Sequence, residues 1–497
     1  VRKNYDFPID QINPGPSSTM ENSGGEWENG RAGWVGQVKY NYDNRYFVEA
    51  SMRYDGSDNF PKDHRWGTFY SGSIGWSLAD EAFMETIREK HIFDMLKIRA
   101  SYGQVGLDNW GNDGDTYHIG RFAYLTSYGL GGQEYVMNGE YVPGFWEGSL
   151  PSPDLTWFTT DQFDAGFDFS SLNNRLYGSF DYFYYATKGF LYAPDALDVG
   201  YTDPLGVSLP KISTDGEHRR AGVEFQLGWR DDIGDFHYDV AFNFTKFDEL
   251  WANNPSESLE NKKNPYKRTT QQRGYAGVYY ENMGFYKDAN DVYNSVQRTG
   301  SHSLTAGDLK YYDFNGDGVI DGADQHRLGK SSFPRANYGL NINLSYKGFS
   351  FSTLFQGATR FDMYLGSVLM MSDANTGSSP TYEFQTDYWT PENTDAKFPR
   401  LLSSTGNNGS NNTVGSDFWL INGGYLRMRD IQVGYDFKRI LLKKTSWITR
   451  LNVALSGQNI FTISEATKYG IDPENGSANR YDYPNERVFA INFGIGF

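Results

Sequence analysis

The chain contains no cysteine, so neither a disulfide framework nor thiol catalysis is open to it. It also has no run of about 18 apolar residues, which removes any membrane-crossing helix. Seven histidines (His64, His91, His118, His218, His237, His302 and His326) are scattered, without an H-E-x-x-H pair. A G-x-S-x-G elbow, a P-loop and a dinucleotide fingerprint are missing too. Acid pairs are plentiful, but spacing along a chain does not fix the separation a glycosidase dyad needs. The chain is read as a non-enzyme. Positive charge is short as well: 45 Lys and Arg stand against 62 Asp and Glu, a net charge of −17. That balance argues against nucleic-acid binding, which wants a basic patch, and suits acidic loops that attract cations.

Aromatic residues are abundant. Only 38% of the 497 residues are hydrophobic, yet Phe, Trp and Tyr make up 17%. They recur with a period of two. From Phe489 to Phe497 the odd positions carry Phe489, Ile491, Phe493, Ile495 and Phe497, and the even ones Ala490, Asn492, Gly494 and Gly496. A strand sends alternate residues to opposite faces, so this one has an aromatic face and a small-residue face. Trp34-Gly36-Val38-Tyr40-Tyr42, Tyr46-Val48-Ala50-Met52-Tyr54 and Tyr338-Leu340-Ile342-Leu344-Tyr346 repeat the pattern, with Ser, Asn, Gln, Asp, Arg or Gly between. One polar face in strand after strand predicts a transmembrane antiparallel β-barrel, all-β, with a polar lumen. A secreted sandwich or propeller would need a second hydrophobic layer or blade repeats.

About 13 strands can be counted. Short connections fall at Asp43-Asn44, Leu172-Asn173-Asn174, Asp231 to Asp235 and Tyr346-Lys347-Gly348. Short helices are expected near Asp80 to Lys90 and Lys438 to Trp447. Long connections alternate with these, at 56–66, 106–155, 187–216, 247–333, 361–416 and 461–486. Short periplasmic turns and long extracellular loops are the barrel signature. Between Tyr425 and Phe437 the residues Arg427, Arg429 and Asp430 fall out of phase, which predicts a β-bulge. An odd strand count, Val1 at the start and no signal peptide lead to the expectation of a longer protein. Residues 1–30 then read as the tail of an extracellular loop, and 31–497 as the C-terminal barrel portion.

The sharpest motif is Asp313-Phe314-Asn315-Gly316-Asp317-Gly318-Val319-Ile320-Asp321-Gly322-Ala323-Asp324. It fits the D-x-[DN]-x-[DN]-G calcium loop, with Asp313, Asn315, Asp317, Asp321 and Asp324 as side-chain ligands and Val319 offering its carbonyl. Asp324 stands where glutamate is usual. Calcium is expected ahead of magnesium, against the bland reading of an Asn/Asp/Gly turn without an ion. Loop aromatics are candidate sugar or peptide platforms: Trp110, Tyr117, Tyr124, Tyr128, Tyr135, Tyr141, Phe145 and Trp146 in one loop. Tyr275, Tyr279, Tyr280, Phe285 and Tyr286 lie in another. The competing reading is that such rings pack the loops together.

Several stretches together resemble the SusC/RagA-type TonB-dependent transporters of the Bacteroidetes outer membrane. They are Arg53-Tyr54-Asp55-Gly56-Ser57, Leu96-Lys97-Ile98-Arg99-Ala100-Ser101-Tyr102-Gly103, and Trp389-Thr390-Pro391-Glu392-Asn393 with Phe398-Pro399-Arg400-Leu401. Gly424-Tyr425-Leu426-Arg427-Met428-Arg429, Gly457-Gln458-Asn459-Ile460-Phe461-Thr462 and Asp472-Pro473-Glu474 complete the set. The resemblance implies a barrel of about 22 strands around an N-terminal plug, of which this chain supplies the C-terminal strands. It also implies TonB contact through the N-terminal portion, a SusD-type surface lipoprotein as lid, and import of glycan or peptide fragments. A non-transporting barrel serving as receptor or scaffold is the alternative.

Overall fold

The computed structural model describes residues 28–109, 119–148, 150–192, 212–274, 276–366, 383–402, 405–440, 442, 444–475 and 485–497. Most of the expected loop tail at 1–30 therefore lies outside the described residues. Thirteen strands form one antiparallel sheet in chain order. They are Arg31–Tyr42, Tyr46–Ser57, Trp66–Ser77, Met95–Leu107, Phe158–Ser171, Leu176–Tyr192 and Ile212–Ile233. Phe236–Asn253, Ala336–Tyr346, Phe349–Thr359, Tyr425–Asp436, Arg450–Ser464 and Val488–Gly496 follow. Among the described residues no pairing joins the first strand to the last, so each presents one open edge.

The register explains how alternation in sequence becomes a surface. Val48 lies opposite Ile74, Ile74 opposite Ala100, Ala100 opposite Ala165, and Ala165 opposite Tyr182. Leu227–Phe242–Leu340–Phe355 and Phe351–Val433–Leu455–Ile491 continue the apolar face across later strands. The other face runs Glu49–Ser73–Ser101–Asp164 and Asn243–Gly339–Gln356–Arg427–Thr462. Phe489, Ile491, Phe493, Ile495 and Phe497 are all more than half exposed, with no second layer over them. Such a face is stable only against lipid.

Both rims of the apolar band carry aromatic belts. At the turn end Tyr46 stacks on Trp76 (6.5 Å) and Phe349 meets Tyr435 (4.4 Å). At the loop end Trp66 lies 4.9 Å from Tyr54 and 5.3 Å from Trp34. The turns follow their residues. Asp43 and Asn44 both take positive φ (53° and 54°), as a two-residue hairpin turn demands, and Lys347-Gly348 does the same at 46° and 93°. The short helix appears at Glu85–Glu89, and Phe437–Ile440 opens the turn after the bulged strand helically. Opposite Leu354 and Phe355 the register skips a residue between Met428 and Asp430, which makes Arg429 the bulged residue.

The walls run further than alternation predicted. Ile212–Ile233 has 22 residues and Phe236–Asn253 has 18, whereas about 9–11 suffice to cross a bilayer. Segments 187–192, 212–216 and 247–253, expected as loop, are strand. Past the bilayer both faces meet water, so residues such as Glu217, His218, Arg219 and Arg220 lose the apolar-polar signal while keeping the ladder. The surplus in the longest strand amounts to about 35 Å along the strand, or about 25 Å of wall height at a tilt of about 45°.

Phe493→Arg on the lipid face should cost about 2–4 kcal/mol if it sits at the bilayer midplane. The adjacent Asn492→Arg, on the polar face, should cost far less. Equilibrium refolding of the full-length protein into liposomes measures both, and equal costs would contradict the assigned faces.

Candidate functional site

The loop end of the sheet carries a folded cap rather than independent loops. Trp419, Leu309 and Ile320 are at most 1% exposed and pack with Tyr280, Tyr311, Phe361, Met363, Leu365, Phe398 and Ile421. These residues come from connections 254–335 and 360–424, so neither loop has a core without the other. Small sheets pair Gly277–Tyr279 with His326–Leu328, Asn282–Phe285 with Leu309–Tyr311, and Asp362–Tyr364 with Leu420–Asn422.

At the centre lies Asp308, fully buried. Arg400 donates to it twice, from Nε (2.8 Å) and Nη2 (3.0 Å), and Asn408 and Asn412 donate at 3.1 and 2.9 Å. The neighbouring Gly307 sits at φ +86° against the Trp389 ring, where a Cβ would lie 2.4 Å from a ring carbon. Trp389 and Arg400, which flank the Trp389–Leu401 stretch, thus clamp one loop onto the other. Sequence reading missed this hub. The run Asn407-Asn408-Gly409-Ser410-Asn411-Asn412 looks like a solvated loop, and nothing local marks Asn408, Asn411 and Asn412 as buried.

The Asp-rich loop is closed by its own backbone. Asp313 accepts N–H bonds from Gly316 and Gly318, both 2.8 Å, and Asp317 accepts from Val319 at 2.9 Å. Asn315 accepts from Asp317 (2.9 Å) and Asp321 from Ala323 (2.7 Å). Asp324 is fully buried and takes three N–H donors: Phe314 (2.9 Å), Asn315 (3.2 Å) and Asp321 (2.8 Å). The structure thus gathers all six expected residues into one loop. Among the described residues, however, no group of three or more His, Asp or Glu side chains is arranged to hold a metal ion. Beside the loop, His326 is buried and stacked on Phe314 with ring centres 4.0 Å apart, its Nε2 3.5 Å from Glu281.

The loop aromatics divide. Tyr280 and Tyr286 are core, Tyr279 stacks on Tyr364 (5.1 Å, 1°), and Phe285 packs edge-on to Phe418. These rings hold the cap together. In the earlier loop, Tyr128 and Phe145 meet across the hairpin Tyr128–Met137/Glu140–Glu147 and stay exposed, as do Tyr135 and Trp146. Trp110, Tyr117 and Tyr275 lie outside the described residues.

On the polar face, charges are internally matched. Arg99 bonds Asp168 (3.1 Å), Asp181 (2.7 Å) and Asp164 (3.3 Å). Near the loop end Arg427, 2% exposed, holds Asp472 and Glu474, each at 2.6 Å. Arg429, displaced by the bulge, reaches Glu474 at 3.0 Å. Together they strap the last long loop to the wall. This gives the Arg427–Arg429 and Asp472-Pro473-Glu474 stretches a joint task that their distance in sequence hides.

Two carboxyls in the cap are shifted in opposite directions. Burial pushes Asp417 above its ordinary value, against the Asn282 N–H (2.7 Å) that stabilises its anion. Burial also works on Glu257, but the Thr270 hydroxyl and the Thr269 and Thr270 N–H groups outweigh it and hold this carboxyl below its ordinary value. A lowered folded pKa contributes stability that is complete above the ordinary glutamate pKa and is lost as pH falls through the lowered value. The protection of the Thr269 and Thr270 amides, taken relative to their intrinsic exchange rate at each pH, should therefore fall on acidification through that window, and Glu257→Gln should abolish this pH dependence of protection. Asp308→Ala should strand Arg400 and the two amides at a cost of about 3–5 kcal/mol. Limited proteolysis should then nick 383–402 while the strands stay protected; an unchanged pattern would count against the hub.

Comparison with known proteins agrees with this architecture. The family model "TonB dependent receptor-like, beta-barrel" matches residues 2–358. TonB-dependent receptor P3 of Formosa agariphila is 27% identical over 487 residues, covering 93% of this chain and 45% of the relative. TonB-dependent receptor SusC of Bacteroides thetaiotaomicron is 27% identical over 482 residues, covering 93% and 43%. The chain thus spans a little under half the length of these curated relatives. The RagAB peptide importer in its open-open state superposes with a TM-score of 0.71 at 19% identity, over 94% of this chain and 47% of that one. The chain belongs to the TonB-dependent receptor-like β-barrel family, outer-membrane proteins that are receptors and transporters rather than enzymes.

Proposed function

We propose that the chain forms wall and loop cap of an outer-membrane importer, driven through TonB, for nutrients too large for porins. The observation that carries this reading is a sheet with one lipid face and one polar face that carries a folded cap at one end. A wall that at its longest strand rises about 25 Å further than a bilayer requires makes a deep vestibule, suited to an oligomeric solute. The open edges at Arg31–Tyr42 and Val488–Gly496 are not tolerable in hydrocarbon, so the reading includes further strands that close the barrel, together with a plug and TonB contact. A SusD-type lipoprotein is the proposed lid. Peptide fragments are one proposed substrate class, supported by the superposition on the RagAB peptide importer, and glycan fragments are the other, from the SusC/RagA-type resemblance of the sequence. Deleting the gene should abolish growth on one such polymer, and loss of TonB should do the same. Surface binding that persists without any TonB-dependent uptake would favour the receptor or scaffold reading instead.

We propose further that the Asp313–Asp324 loop takes calcium ahead of magnesium. Asp313, Asn315, Asp317 and Asp321 keep lone pairs beyond those given to single turns of backbone, and the Val319 carbonyl is close in sequence. Asp324, held by three N–H groups, would serve as staple more than as ligand. At the affinity of extracellular modules, about 10⁻⁴–10⁻³ M, millimolar calcium should protect the loop from proteolysis and a chelator should reverse it. Asp317→Ala should remove the calcium effect without unfolding the strands. Identical cleavage with calcium and with chelator would leave the loop closed by its own hydrogen bonds alone.

A further inference from the structure

The acidic character of the chain breaks at one place. From residue 437 to 464 there is no Asp or Glu, and Lys438, Arg439, Lys443, Lys444 and Arg450 fall within the first half of that stretch. The turn between strands Tyr425–Asp436 and Arg450–Ser464 lies on the short-turn rim, the periplasmic side of such barrels. Several cations elsewhere on this rim are paired with carboxylates: Arg45 with Asp43 (3.0 Å), Arg88 with Asp80 (2.9 Å), Arg175 with Asp231 (3.1 Å) and Lys347 with Asp235 (3.6 Å). Lys90 is exposed and, among the described residues, without such a pair, but it has no exposed Phe, Tyr or Trp beside it in sequence. Lys444 is exposed and, among the described residues, has no carboxylate partner. The closest acid in sequence, Asp436, is turned to the Lys438 N–H (2.9 Å).

The turn is also shaped and placed. Lys438 Nζ donates to the Leu442 carbonyl (2.7 Å) and to that of Thr445, which closes the loop below Lys444. The Thr449 N–H donates to the Gly496 carbonyl (2.9 Å) and stitches the turn to the last strand. Trp447, 65% exposed, lies parallel to the Phe497 ring at 6.1 Å. Phe497 continues the lipid-facing row Phe489–Ile495, so Trp447 stands at the edge of the apolar band. Tryptophan favours that interface, and basic residues beside it favour anionic headgroups.

We propose that this turn binds the phosphate headgroup of an anionic phospholipid in the periplasmic leaflet, with Lys444 as the contacting cation and Trp447 seated at the headgroup level. Arg450 is not part of the site. Its guanidinium lies over Gly494 on the polar face, where a Cβ would be 3.7 Å from Nε. The charge complementarity selects phosphate, and continuity with the lipid face selects lipid over a soluble anion.

The test uses the full-length protein in nanodiscs that mix phosphatidylglycerol with phosphatidylcholine, counting the lipids retained after delipidation by native mass spectrometry. Phosphatidylglycerol should be enriched, and Lys444→Gln should lower the enrichment about five-fold, the effect of one interfacial cation. Trp447→Ala should lower it too, whereas Arg450→Gln should leave it unchanged. Equal retention of both lipids would overturn the proposal. So would a loss with Arg450→Gln as large as with Lys444→Gln, since the rim's diffuse field would then suffice. Displacement of the bound lipid by millimolar inorganic phosphate would reassign the turn to a soluble anion and would likewise overturn it.

Discussion

In hydrocarbon no water is available to the peptide group, so every backbone N–H and C=O of a spanning segment must be bonded within the protein. That constraint orders the rest of this structure. It makes each strand pair with its neighbours in chain order and forces the register in which Val48, Ile74 and Ala100 share a row. One face then meets lipid whatever its loops do, and it must be apolar at every second residue. The other face is free to be polar, and its ion pairs, such as Arg99 with three aspartates, stand in a wall whose backbone is already satisfied.

The cap obeys a different logic. Its segments are short of regular structure, so buried side chains bind the backbone and one another in place of a ladder: Asp324 takes three backbone N–H groups, and the buried Asp308 gathers side chains. One carboxylate organises an arginine and two amides from a loop about a hundred residues later. Such a hub is costly to break and useless until both loops have arrived. The strap from Arg427 and Arg429 to Asp472 and Glu474 works in the same way, with the bulge at Arg429 supplying the extra reach.

The strands, their faces and the bulge were legible in the order of residues, because a period of two and a break in its phase are local signals. Asp43-Asn44 and Lys347-Gly348 announced their turns for the same reason. The extra length of Ile212–Ile233 was not legible: above the bilayer both faces are wet, and alternation vanishes while the ladder continues. The aromatic residues of the long loops were ambiguous. Tyr280 and Tyr286 became core, whereas Tyr128 and Phe145 stayed exposed, and only partners such as Trp419 separate the two fates.

The sequence by itself determined a membrane-spanning β-sheet with a polar lumen, its short-turn and long-loop ends, and its family. The sheet and its two ends follow from composition and from spacings of a few residues, and the family from the ordered stretches that resemble it, such as Trp389-Thr390-Pro391-Glu392-Asn393 and Gly424-Tyr425-Leu426-Arg427. The tertiary structure alone decided which loop polar groups are buried, how Asp324 is used, and which cations stay unpaired. Asp324 occupies the last position of a cation-loop motif, yet its carboxylate is enclosed by the N–H groups of Phe314, Asn315 and Asp321. A motif names the donors available. Whether they turn towards an ion or towards their own backbone depends on the packing around them, here the Phe314–His326 stack and the cap beneath it.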